Sequence, residues 1–264
     1  MLLLELRRFL LRNNMTDKDI ILRQLVSTSD TIANKFDELY KDELDLLAQE
    51  LATSYNILTK AMVEKENPLS DNDFQSANLY WTALNTILAA IDLLRRGYLK
   101  EPQMLIRNAL ETFAVAYDFH ENPDHYRSFI ANPKKFESTK SISVIKKVHG
   151  FIGQLYGQLS SQFTHISGLH VLPHKHDEHG FYMGGRLDPN DLTIINMEIN
   201  SIIATLDILN SVLELSFISY VDNPRFWVKI DSDTIRYTPN KERVNQVMNA
   251  FKTSLESLDK EPQG

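Results

Sequence analysis

The sequence predicts an all-α protein: a single-domain antiparallel helix bundle with one small irregular or hairpin insertion near residues 173–191. Three observations carry this reading. Apolar residues recur at spacings of three and four over long stretches, the period of a helix with one buried face. Proline, glycine and Ser/Asp/Asn clusters fall between those stretches, where helices start and stop. No repeat, low-complexity linker or shift of composition divides the 264 residues, and 43% hydrophobic content suffices for one sizeable core. The chain therefore reads as one domain over 1–264, with a peripheral N-terminal helix (1–15), a main bundle (16–222) and a C-terminal extension helix (223–264).

The first twelve residues mix Leu2, Leu3, Leu4 and Leu6 with Glu5, Arg7, Arg8 and Arg12. Charges inside the apolar run and the lack of a small-residue cleavage site favour an amphipathic helix over a secretory leader. Met15, just before the helix start Thr16-Asp17-Lys18-Asp19, offers an alternative initiation site. From Asp30 to Glu66 one long amphipathic helix is expected, with Ile32, Phe36, Leu44, Leu47, Leu51, Tyr55 and Leu58 on one face and acidic residues between them. Pro68 ends it, and Ser70-Asp71-Asn72-Asp73 supplies caps for the next helix. That helix, Asp73 to Arg96, has a wide apolar arc and should be central, with Gly97 as its left-handed stop. Pro102 opens a second apolar helix that Asn122-Pro123 closes, so the two should pair as an antiparallel core hairpin.

Shorter helices are expected at Asp124–Ala131 and Pro133–Val148, then one at Phe151–Leu172 in which Gly153, Gly157, Ser160, Ser161, Ser167 and Gly168 interrupt the bulky residues. Small residues at this spacing suit close approach of another helix. Pro173–Asp191 breaks the helical period, and Gly180–Leu187 within it has the composition of a small hairpin. A long apolar helix at Leu192–Val221 follows, and a last helix starts at Thr238-Pro239.

Composition narrows the function classes. Asp plus Glu outnumber Lys plus Arg by 35 to 28, a net charge of −7, which argues against a dedicated nucleic-acid binder while leaving room for a local basic patch. The absence of cysteine excludes disulfides, thiolate nucleophiles and cysteine-ligated zinc. No segment approaches the roughly 18 to 20 uninterrupted apolar residues of a membrane span, so the cytoplasm is the expected location and no membrane partner is expected.

Arg107 and Glu111 are the most informative polar residues, since they sit one turn apart within the apolar run Met104–Tyr117. At this spacing their side chains share a face, and Asn108 and Thr112 extend the polar strip beside them. The arrangement is either a structural ion pair tying the helix to its neighbours or part of a site. Histidines come second: His165, His170, His174, His176 and His179 lie within fifteen residues. Imidazole is a common transition-metal ligand, so His174, His176 and His179 are candidate metal ligands and a divalent ion is a conceivable cofactor. Their spacing matches no established zinc signature, which favours exposed loop histidines instead. His165 and His170, on or at the end of a helix, are the stronger candidates. The five lysines of Pro133–His149 form a basic stretch that reads best as a solvated face. No phosphate-binding glycine loop, nucleophile elbow or dinucleotide fingerprint occurs.

Ala77-Asn78-Leu79-Tyr80-Trp81 through Leu94-Arg95-Arg96-Gly97-Tyr98, then Ile106–Thr112, and later Phe163-Thr164-His165-Ile166-Ser167 carry a resemblance. Over roughly Phe74 to Leu172 the chain resembles a group of bacterial all-helical domains of unknown function that pair an Arg-x-x-x-Glu core helix with a downstream Ser/Thr-His element. The resemblance implies a helical fold and a bacterial or phage-related source, and no reaction. A more distant analogy is to the HEPN helical bundles, many of them ribonucleases, whose usual signature is an Arg followed after four to six residues by a His. Here no Arg precedes any histidine at that distance. The expected function is thus non-enzymatic, through homo-oligomerisation or binding of a protein partner. The alternative is a metal- or phosphate-handling enzyme, such as a nuclease, in which Glu111 with His165 or His170 acts as ligand or base and Arg107 clamps an anion.

Overall fold

The computed structural model describes residues 17–23, 29–63, 68–160, 175–176, 180–181, 185, 187–188, 191–231, 234–238, 249 and 253. It is predominantly helical, with only two small hairpins among the described residues. Helices α1 (Asp17–Arg23), α2 (Ser29–Leu39) and α3 (Lys41–Val63) come first. The single helix expected from Asp30 to Glu66 is therefore two, α2 and α3, with a bend at Tyr40. Periodicity could not show the bend, because hydrogen bonding runs through it: Tyr40 N donates to Phe36 O and Leu44 N to Tyr40 O, both at 2.9 Å. Tyr40 is buried there, its ring 4.6 Å from that of Phe36.

The central hairpin forms as expected from α4 (Asp71–Arg95) and α5 (Glu101–Glu121). Ser70 caps α4, its hydroxyl accepting from Asp73 N at 3.3 Å. At the other end Gly97 adopts φ 80°, and Gly97 N and Tyr98 N return to Leu94 O and Leu93 O at 2.9 and 3.0 Å. This double closure satisfies carbonyls that would otherwise be orphaned at the helix end, in a conformation that glycine adopts without a Cβ penalty. Across the hairpin, Ala77, Tyr80, Ala83, Leu84, Ile87 and Leu94 of α4 and Ile106, Ala109, Leu110 and Phe113 of α5 are buried in one core.

After α5 come α6 (Pro123–Ala131), a 3-10 turn at Pro133–Lys135, α7 (Ser138–Ile145) and α8 (Ile152–Leu159). The expected Pro133–Val148 helix is thus split, and the described part of the Phe151–Leu172 helix is α8. The two described glycines of this face do not hold a neighbouring backbone: a Cβ added at Gly157 would meet nothing within 4 Å, and Gly153 abuts the flexible Lys146 side chain.

The insertion contains β1 (Lys175–His176) and β2 (Gly180–Phe181), paired antiparallel with His176 opposite Gly180. The strand pair therefore lies earlier than the expected Gly180–Leu187 hairpin. Gly184-Gly185 resembles a turn signal, but Gly185 serves close approach instead: a Cβ there would come within 1.8 Å of Arg96 O, on the α4–α5 turn.

Helix α9 (Leu192–Ser216) fills the middle, packed against α3, α4 and α5. Among the described residues it is the one helix long and apolar enough to cross a membrane by length and composition, and 72% of its apolar window is buried inside the bundle. A 3-10 turn (Ile218–Tyr220) leads to a second hairpin, β3 (Trp227–Lys229) with β4 (Ile235–Tyr237), inside the stretch assigned to a C-terminal extension helix. Strands of three residues leave too short an alternation to read from sequence.

Candidate functional site

Arg107 and Glu111 form an ion pair at 3.0 Å on α5, and α7 and α8 complete its surroundings. Arg107 Nε donates to Ser160 Oγ at 3.1 Å and Nη2 to the Tyr156 hydroxyl at 3.2 Å, while that hydroxyl donates to Glu111 Oε1 at 2.9 Å. Ser138 Oγ donates to Glu111 Oε2 at 3.4 Å, and the guanidinium carbon lies 5.4 Å from the centre of the Tyr156 ring. The result is a closed ring of Arg107, Tyr156 and Glu111 that ties α5 to α8 and touches α7. The two charged side chains are 28% and 22% exposed, so the pair is neither sealed in the core nor displayed on an open surface. Arg precedes Glu here, the less favourable order for a pair within one helix, so its worth lies in the links to Tyr156, Ser160 and Ser138. The ring is net neutral, and an incoming anion would meet the Glu111 carboxylate beside Arg107. This geometry supports a brace between helices more than an anion clamp.

The remaining sequence candidates are not gathered into this ring by any described contact. Asn108 is exposed, and Thr112 Oγ1 donates to Asn108 O on its own helix at 2.8 Å. His165, His170, His174 and His179 lie outside the described residues. His176 is placed by its backbone in β1. Among the described residues no group of three His, Asp or Glu side chains is arranged to hold a metal ion. Tyr156 is not among the sequence candidates and Ser160 enters there only as a small residue, yet a signal exists: along α8 and its C-cap they repeat the i, i+4 spacing of Arg107 and Glu111 on α5.

Other polar groups are buried where no local pattern marks them. Glu50 is buried beneath Arg225, which reaches its two carboxylate oxygens at 3.1 and 2.8 Å; Asn210 Nδ2 adds a third donor at 2.8 Å. The Glu214 carboxylate accepts three backbone N–H groups, from Arg225 at 2.8 Å, Phe226 at 2.7 Å and Trp227 at 2.9 Å, and so pins the β3–β4 hairpin to α9. Asp118, buried on α5, accepts from Ser141 and Asn122 at 2.7 and 2.8 Å and pairs with His125 Nδ1 at 2.9 Å, joining α5, α6 and α7. Glu198 is fully buried, and Gln103 donates to it at 2.6 Å. Burial holds the Glu198 carboxyl well above the usual carboxylate range. Lys100, at the start of α5, is pushed down to about 8 by burial. His149 is pushed down to about 4 by burial, and its Nε2 lies 2.9 Å from the Tyr237 hydroxyl on β4. Glu50, Glu214, Asp118, Glu198 and His149 each join one element to another.

The outward face of α3 and α4 differs in kind. Leu51, Ala52, Tyr55, Trp81, Leu84, Asn85 and Leu88 line a shallow apolar groove of ≈ 260 Å³. Tyr55 and Trp81 meet across it with ring centres 5.4 Å apart. From Phe74 to Ile91, five helical turns, α4 carries no charged residue, although Phe74, Trp81 and Leu88 are 43%, 36% and 50% exposed. On α3 the stretch Leu46–Thr59 carries only Glu50, which is turned inward to Arg225. The wide apolar arc of this helix is thus more than the core uses. Surfaces of this composition, aromatic and depleted of charge, resemble the centre of a protein interface. Comparison with protein-family models, with curated proteins and with solved structures finds no match to this chain.

Proposed function

We propose that this protein works by association: a non-enzymatic helical module whose α3–α4 face docks another protein surface. One observation carries the reading, the charge-free stretch of α4 from Phe74 to Ile91 with exposed aromatic and aliphatic side chains beside Tyr55 of α3. Leaving those side chains in water forgoes about 25 cal/mol for every Å² that a partner would cover. The polar residue that lines the groove, Asn85, is uncharged and can be desolvated at modest cost if hydrogen-bonded. The Arg107–Glu111 ring fits this function as scaffolding.

A photo-reactive amino acid placed at position 81, in cells producing the protein, tests the reading. A protein–protein adduct through position 81, with this chain or another, is expected; the same group at exposed Asp124, on α6, should give none. No adduct at position 81 above that control would overturn it.

A further inference from the structure

We infer that the occupant of the α3–α4 face is a second copy of this chain, docked about a two-fold axis that passes by Trp81. The inference rests on the docking reading above and adds the partner and its geometry. Phe74, Trp81 and Leu88, the three large apolar side chains exposed on α4, are spaced seven residues apart, so they fall on one stripe of the helix with Trp81 at its midpoint. That pattern is symmetric. When two such helices cross antiparallel at Trp81, Phe74 of each copy meets Leu88 of the other and the two tryptophans meet at the centre. An isologous contact requires this self-complementarity, since every residue must face its own symmetry partner.

Charge points the same way. Each chain carries −7, so two copies repel at long range, and any charged residue near a two-fold axis would face its own like. The charge-free stretch Phe74–Ile91 removes that opposition over the whole length of the proposed contact. Asn78 and Asn85 lie on the same side of α4, and an amide can both donate to and accept from its own copy. Ala52 on α3 and Ala89 on α4 are small and exposed beside the stripe, which lets the second helix pair approach. A partner of strong opposite charge would have selected charge here and finds none.

Sedimentation equilibrium over about a hundredfold range of concentration decides the matter, because dimer formation follows mass action. The wild type should move from the chain mass of 30.4 kDa to twice that value. Trp81→Glu should raise the dimer Kd by about 100-fold or more, as loss of a central aromatic anchor does, with its helical circular dichroism unchanged. Trp81→Arg should do the same, and an equimolar mixture of the two variants should recover dimers, since only a residue on the axis meets its own copy. Should either variant lose helicity, Phe74→Glu combined with Leu88→Lys serves instead: each single substitution weakens the dimer and the double variant regains it. A wild type that stays at the chain mass overturns the second-copy inference, and the adduct at position 81 then reports whether a different protein uses the face. A dimer indifferent to Trp81→Glu, or mixed variants that fail to associate, also overturns it.

Discussion

His149 gives the fold a built-in sensitivity to acid whose size follows from its surroundings. The imidazole follows α7, with its Nε2 2.9 Å from the Tyr237 hydroxyl and the two rings edge to face with centres 5.3 Å apart. Tyr237 packs in turn on Trp227 at 4.8 Å, so the histidine holds the β3–β4 hairpin against the bundle. Burial lowers its pKa from 6.5 to about 4, with no compensating charge. Between those values the unfolded chain binds a proton that the folded chain refuses, so stability falls as pH falls through the window. At about 1.4 kcal/mol per pH unit the full loss is roughly 3 kcal/mol, complete below pH 4 and absent above pH 6.5. Urea unfolding of the wild type and of His149→Gln, at neutral pH and near pH 4.5, measures the effect. Glutamine keeps a hydrogen-bonding group and cannot titrate, so the difference between the two proteins should shrink by about 2–3 kcal/mol on acidification. Glu198 does not confuse the result. Its raised pKa puts its own contribution in the opposite sense, lost as pH rises from the unfolded carboxylate value, and it is common to both proteins. Parallel pH dependences in the two proteins would refute the reasoning.

Two further perturbations test the polar braces. Glu50→Ala takes the carboxylate acceptor from the buried Asn210 amide and from Arg225, which is 38% exposed and regains water, so it should cost about 2 kcal/mol by denaturant unfolding, mostly through Asn210. Arg107→Ala and Glu111→Ala should each cost only about 1–2 kcal/mol, because both side chains are partly exposed, and a double-mutant cycle should return a coupling near 1 kcal/mol. A cost above about 4 kcal/mol for either would mean that the ring is sealed from water and would refute the partial exposure on which the smaller figure rests.

The central hairpin was legible because its signals are local. Ser70, Gly97, Pro102 and Asn122 each act within one turn of the helix end that they define, and the structure puts α4 and α5 where they predict. What was not legible depends on distance. Tyr40 bends the chain without breaking the 3.6-residue period, because its inward turn is decided by Phe36 and the core. Gly185 looks like half of a turn and is instead a point of contact with Arg96, eighty-nine residues earlier in the chain. Nothing near Glu214 announces that three amides of a hairpin will close on its carboxylate. The candidate site divides the same way. Arg107 and Glu111 were visible as charges in an apolar helix, whereas Tyr156 and Ser160 became their partners only when α8 packed on α5.

Where the fold places its charges bears on what the protein does. Three ion pairs brace the bundle: Glu50 under Arg225, Arg107 against Glu111, and Arg95 held by Asp37 at 2.5 Å across α2 and α4. In that last pair the guanidinium holds the Asp37 carboxyl below its ordinary pKa, which is what an engaged ion pair does. These contacts join elements and turn little of their chemistry outward. On the α3–α4 face the pattern inverts, since apolar rings are exposed and charge is withheld for five turns. A monomer gains nothing from that inversion: charged residues on an exposed face add solubility, and most such substitutions are nearly neutral for stability. An interface does gain, because every charge removed from its centre is a desolvation cost avoided. The withheld charge on α4, more than the ion pair on α5, is therefore the feature on which the proposed association rests.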